Sequence, residues 1–242
     1  MTVDHPRKVR SFVRRPGRMT RGQQRARDEL MPLWGVPFAA GPIALREVFG
    51  RDARRVLDIG FGDGEALLTA AARFPELDYL GVEVHEPGIG HLLTLIERSK
   101  LTNIRIIDRD AVDVIERMLT DSSFDAVNLF FPDPWPKKRH HKRRIVQPDF
   151  VGEVARILKP GGTFHIATDW ADYAEHIGIV LDSSADFTAL DPQSPQDEPL
   201  TFRAPTKFER RGRRLGHEVV DLLYFSDGSS GKSSEADDLE RA

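Results

Sequence analysis

The 242-residue sequence has no cysteine, only three tryptophans and three tyrosines, and no long apolar run. Without thiols the chain forms no disulfide, no thiolate zinc site and no cysteine nucleophile, which fits a cytoplasmic protein. A membrane-spanning helix needs about 18 consecutive apolar residues. No stretch comes near that length, so no membrane association is expected. The N-terminus, MTVDHPRKVRSFVRRPGR, is basic and lacks the apolar segment of a secretory signal. His140 and His141 are adjacent but lie inside a basic run with no carboxylate nearby in sequence, so no metal site is expected. No internal repeat is present.

What is there suits one α/β domain: 40% hydrophobic and 30% charged residues, with a net charge of −3. The distribution of charge says more than the total. Nine Lys/Arg and no acid lie between Arg7 and Arg27. Six Lys/Arg and two His lie between Lys137 and Arg144, and five Lys/Arg against Glu209 alone lie between Lys207 and Arg214. Any one such run can be a solvated face. Three of them in a net-acidic chain point to a polyanionic partner.

Residues 1–30 lack apolar periodicity and read as a flexible basic arm; residues 226–242 read as a disordered acidic, Ser/Gly-rich tail. Between them, residues 31–225 alternate short apolar strands with helical stretches. Strands are expected over Arg55–Gly60, Tyr79–Val84, Ile104–Ile107, Phe124–Phe131, Thr163–Thr168 and Val219–Phe225. Helices are expected over Glu65–Phe74, Pro87–Lys100, Ala111–Leu119, Pro148–Leu158 and Ala171–Asp182, the fourth stopped by Lys159-Pro160-Gly161-Gly162. This alternation predicts a doubly wound, mostly parallel sheet, whose ligands bind at the carboxyl ends of the strands.

The motifs fall at those ends. Asp58-Ile59-Gly60-Phe61-Gly62-Asp63-Gly64-Glu65 leaves the first strand and opens a helix. Gly60 and Gly62 allow a sharp turn and close backbone approach. The third glycine comes one residue too early for a dinucleotide-binding loop, and no P-loop lysine is present. A carboxylate at Asp58 repels a pyrophosphate and suits an ammonium, as in S-adenosylmethionine. The bland alternative is a tight turn with no ligand. Glu83 closes the second strand, where a carboxylate accepts from ribose hydroxyls, and Asp110 follows the third, where it accepts from an adenine amine. After the fourth strand, Pro132 and Pro134 stiffen a loop that presents Asp133 beside Trp135, suited to a planar base or simply to an anchored turn. This loop is similar to the D/N-P-P-Y/F/W motif of amino-group DNA methyltransferases, but here the acid sits between the prolines.

The chain resembles the bacterial tRNA (guanine-N7)-methyltransferase family. The resemblance spans roughly residues 30–225 and rests on Ile59-Gly60-Phe61-Gly62, Gly81 to His85, Phe130 to Trp135 with Lys137 to Arg144, Ala167-Thr168-Asp169-Trp170, and Thr206-Lys207-Phe208-Glu209 with Arg211-Gly212. It implies a class I S-adenosylmethionine-dependent (Rossmann-like) fold and methyl transfer from S-adenosyl-L-methionine to N7 of a guanine in the variable loop of tRNA. It further implies a cofactor set of Asp58, Glu83, Asp110 and Asp133, with Asp133 catalytic. It assigns Lys137, Asp169, Thr206, Lys207, Phe208 and Glu209 to the substrate, and Arg139, His140, His141, Lys142, Arg143 and Arg144 to RNA contact. The family often has Glu where this chain has Asp58. Eukaryotic relatives need a WD-repeat partner; the bacterial pattern implies none, hence a monomer or homodimer.

The chemistry stands beside the resemblance. Guanine N7 carries an in-plane lone pair and no proton, so its attack on a methyl carbon requires alignment rather than a general base. The product purine is cationic, so nearby carboxylates stabilise the charge as it develops. Acids at Asp169 and Glu209 can test the guanine N1–H and N2–H2 edge. The alternatives are a helix N-cap for Asp169 and an ion pair with a neighbouring Arg for Glu209. Two competing functions remain open: methylation of an exocyclic amine in nucleic acid, or tRNA binding by an inactive relative.

Overall fold

The computed structural model describes residues 18–190, 197–214, 216 and 218–228. Their helices are α1 (Arg21–Trp34), α2 (Leu45–Phe49), α3 (Glu65–Arg73), α4 (Glu86–Ser99), α5 (Ala111–Met118), α6 (Pro148–Ile157), α7 (Ala171–Asp182), α8 (Glu198–Thr201) and α9 (Lys207–Arg214). The strands are β1 (Arg55–Ile59), β2 (Asp78–Glu83), β3 (Ile104–Asp108), β4 (Phe124–Phe130), β5 (Leu158–Thr168), β6 (Phe187–Ala189) and β7 (Val220–Ser226). They form one sheet in the order β3-β2-β1-β4-β5-β7-β6. β1 to β5 pair in parallel, whereas β7 runs antiparallel to both β5 and β6. The expected doubly wound, mostly parallel sheet is therefore observed.

Strands buried on both faces read as continuous apolar runs. Leu57, Ile59, Leu80, Val82 and Val127 pack with α5, α6 and α7 on one face, and Val56, Tyr79 and Ile106 with α1, α3 and α4 on the other. Each fully buried Leu or Ile contributes about 1.5–3 kcal/mol, as an upper bound. The strand order reverses between β1 and β4, which opens a crevice at their carboxyl ends.

Two expectations need correction. The basic arm does not extend to residue 30: α1 starts at Arg21, with Thr20 and Gln23 forming a capping box. Ala26 and Leu30 are buried, and the Arg27 guanidinium meets Asp108 at 2.7 Å. Residues 1–17 and 229–242 lie outside the described residues, whereas Ser226, placed in the tail by sequence, is buried in β7. The second correction concerns Lys159-Pro160-Gly161-Gly162. α6 ends before it, but the run is carried inside β5 as a bulge, where the register jumps from Phe124↔Leu158 to Ala126↔Thr163.

Candidate active site

The crevice holds a cavity of about 730 Å³. Asp58, Gly60, Gly62, Glu83, Asp110, Asp133, Lys137, His140, Thr206, Lys207 and Phe208 all line it, so most of the residues chosen from sequence come together. The glycine loop reaches it through a left-handed backbone at Gly60, Gly62 and Gly64 (φ 72°, 62° and 78°). A Cβ at Gly64 would fall 2.6 Å from Leu92 of α4, and one at Gly88 would fall 1.9 Å from the Gly62 carbonyl. Side chains at these points would push α4 off the loop.

The carboxylates differ in environment. Asp58 is buried on β1, and among the described residues no group donates a hydrogen bond to it. Burial, and then the charge of Glu83, pushes its carboxyl up to about 7. Glu83, by contrast, accepts from three backbone N–H groups: Gly62 at 2.9 Å, Val84 at 2.7 Å and His85 at 2.9 Å. A carboxylate has about four acceptor positions, so about one is left for a ligand hydroxyl rather than the pair expected for ribose. Asp110 caps α5 through the Val112 N–H at 3.1 Å while still lining the cavity.

Asp133 sits exposed on the loop after β4. The loop is bracketed by two non-glycine residues in the left-handed region, Phe131 (φ 54°) and Trp135 (φ 45°). Each costs on the order of 1–2 kcal/mol and persists only where contacts enforce it. The enforcing contacts are visible. The Phe131 N–H donates to Ala167 at 2.7 Å, and its ring stacks on Phe208 with centroids 6.4 Å apart. Arg143 lies 3.9 Å above the Trp135 ring. Arg144 donates to the Pro134 carbonyl at 3.0 Å.

That last contact corrects the reading of the basic run. Lys138–Arg143 is a 3-10 helix. Arg144 is buried against Tyr173 and bonded to Pro134 and to Asp172, which gives it a bracing role in the fold. The Arg144 hydrogen bond in turn holds Asp172 below the usual carboxylate range. Lys137, Lys138, Arg139 and Lys142 remain exposed, while His140, His141 and Arg143 are half-buried.

Two of the residues assigned to the substrate lie outside the cavity lining. Glu209 is buried and paired with Arg203, which also holds Asp221 through two bonds of 2.7 and 2.9 Å; it does not line the cavity. The ion-pair alternative describes it. Asp169 directly follows β5 and lines a separate depression with Trp170, Asp172 and Glu218. Nor is it the N-cap of α7, a position held by Trp170. Sequence reading missed Arg109, a cavity residue directly before Asp110, and the Arg203–Asp221–His165 network beneath Phe130. Arg109 was findable by adjacency. Arg203 gave no local signal.

Comparison with known proteins is consistent with this geometry. The family described as "Putative methyltransferase" matches residues 52–222. A tRNA (guanine-N(7)-)-methyltransferase of Alkalilimnicola ehrlichii is 54% identical over 221 residues, covering 90% of this chain and 92% of the relative. One of the same name from Halorhodospira halophila is 53% identical over 223 residues, covering 92% and 96%. A solved structure of the 16S rRNA methyltransferase KamB superposes with a TM-score of 0.52 at 17% identity over 75% of this chain and 92% of its own, a likeness of fold alone.

Proposed function

Because the chain belongs to the tRNA (guanine-N(7)-)-methyltransferase family, we propose that it methylates N7 of a guanine in the variable loop of tRNA, using S-adenosyl-L-methionine, as a cytoplasmic enzyme that needs no partner protein. The observation that carries this reading is a buried Asp58 carboxylate without a protein donor, in the same cavity as Asp133 and the aromatic rings of Phe131, Trp135 and Phe208. A buried carboxylate is costly unless a cation meets it. The ammonium of the cofactor's methionine end is such a cation, so the residues fit the group.

S-adenosylmethionine supplies an electrophilic methyl carbon. The protein's part is to bind, align and stabilise. Asp58 would hold the ammonium, the remaining acceptor of Glu83 a ribose hydroxyl, and Asp110 an adenine amine. Phe131, Trp135 and Phe208 offer flat faces to a purine, while the braced loop fixes Asp133 beside it. Since N7 has no proton to lose, Asp133 serves as a negative charge facing the purine as it becomes cationic. Lys137 can donate to guanine O6, where adenine presents an amine instead.

The test is to incubate the protein with labelled S-adenosylmethionine and unmodified tRNA and to map the product. The reading predicts 7-methylguanosine in the variable loop. A methyl group on an exocyclic amine, or none at all, would overturn it.

A further inference from the structure

We propose that the outer face of α9 is a second RNA-backbone contact, with Lys207, Arg211 and Arg214 neutralising phosphates beside the cavity that the 3-10 helix also reaches. This rests on the reading of the protein as a tRNA methyltransferase.

The argument begins with helix geometry. Lys207, Arg211 and Arg214 are spaced i, i+4, i+7, which places them on one helical face. All three are exposed. Lys207 lines the cavity, so the stripe starts at its mouth and runs outward for about 10 Å at about 1.5 Å per residue. The buried face of the same helix carries Glu209 and Gly212. Glu209 is held by Arg203, and Gly212 packs so closely that a Cβ would lie 2.8 Å from Asp169 Oδ2. α9 is thus fixed in one orientation, with its basic face outward.

The cations on that face are not equivalent. Arg210 is taken up by the fold: it bonds Glu65 at 2.8 Å and the Pro205 carbonyl at 3.0 Å. Arg211 and Arg214 have no carboxylate partner among the described residues; Arg214 donates only to the Arg210 carbonyl. Like charges at i, i+4 destabilise a helix by about 0.2–0.5 kcal/mol per pair, and a cation at the first turn opposes the helix dipole. Arg211 and Arg214 lie in the last turn, where the dipole favours cations, and their charge without a carboxylate partner is open to a polyanion.

The placement matches the substrate. A nucleotide drawn out of its stack into a cavity has a phosphate on each side of it. Two basic segments reach this one cavity: Lys137 and His140 at the 3-10 helix, and Lys207 on α9. One segment can receive the backbone entering the site and the other the backbone leaving it.

The test is tRNA binding by R211A/R214A as a function of salt, with R211K/R214K as the charge-preserving control. Losing two phosphate contacts lowers the log–log salt slope by about 1.4 to 1.8 and weakens binding by about 30-fold near 0.1 M salt. The lysine variant keeps the wild-type slope, and combining R211A/R214A with K138A/R139A gives additive losses. Cofactor titration of each variant reports that the fold is intact. A wild-type protein that methylates tRNA, together with an R211A/R214A slope equal to wild type, would overturn this inference and leave the methyltransferase reading standing. A wild-type protein that neither binds nor methylates tRNA would overturn both.

Discussion

The proposed contact of Asp58 with the cofactor ammonium predicts proton-linked cofactor binding. The Asp58 carboxyl is raised from 3.8 to about 7 by burial and by Glu83. At about 1.4 kcal/mol per pH unit, holding Asp58 ionised in the ligand-free protein costs about 4 kcal/mol. The folded state therefore binds more protons than the unfolded state between these two values. Ligand-free stability falls as pH rises from about 4 to about 7, and the loss is complete above the folded value. An ammonium ligand requires the ionised form, so its binding expels the proton. At pH 6 most of a proton should be released per cofactor bound, and the release should fall away as pH rises through the Asp58 value. Below pH 7 the dissociation constant should rise towards tenfold per unit. Calorimetric titration with S-adenosylmethionine in two buffers of different ionisation enthalpy measures the release directly. Asp58→Asn should abolish it, weaken binding, and raise ligand-free stability at pH 8. Pronounced proton release at pH 6 from the Asn variant, or none from wild type, would refute the reasoning.

Other outcomes follow from the same structure. Asp133→Asn should lower single-turnover methyl transfer by about a hundredfold or more while tRNA affinity changes by less than about threefold, as befits a charge acting in the transition state; near-normal turnover would remove Asp133 from the chemistry. Arg144→Ala should cost about 1–3 kcal/mol, by thermal melting, because it unbraces the Pro134 turn and the Asp172 contact. The same variant should leave the salt slope of tRNA binding unaltered, and a lower slope would return Arg144 to the RNA interface. Gly64→Ala combines a left-handed backbone with a 2.6 Å approach to Leu92. It should destabilise by about 2–4 kcal/mol, or roughly 5–15 °C in Tm, and an unchanged Tm would show that the loop relaxes freely.

How far the sequence could be read depended on where each element finds its partners. β1 to β5 were legible because each is an apolar run closed by turn residues, and the acids that end β1, β2 and β3 stand out against such runs. α1 was not, since Ala26 and Leu30 are its only buried side chains and its ion-pair partner Asp108 lies far along the chain. Its capping box, Thr20 with Gln23, was the one local signal. α9 has almost no apolar stripe and is fixed by Arg203–Glu209 and Arg210–Glu65, pairs that no periodicity reveals. Arg144 looked like its neighbours because a run of cations does not show which member turns inward; Asp172, on α7, decides that. Asp169 is a related case. The end of a strand fixes the edge of the sheet but not which of two neighbouring depressions a side chain enters.

The central claim is that guanine N7 itself attacks the methyl group. The most direct measurement replaces the target guanosine of the tRNA with 7-deazaguanosine, which removes the nitrogen and keeps the Watson–Crick edge. The account predicts tRNA binding close to that of the unsubstituted RNA and complete loss of methyl transfer. Continued methylation of the substituted nucleotide would contradict it.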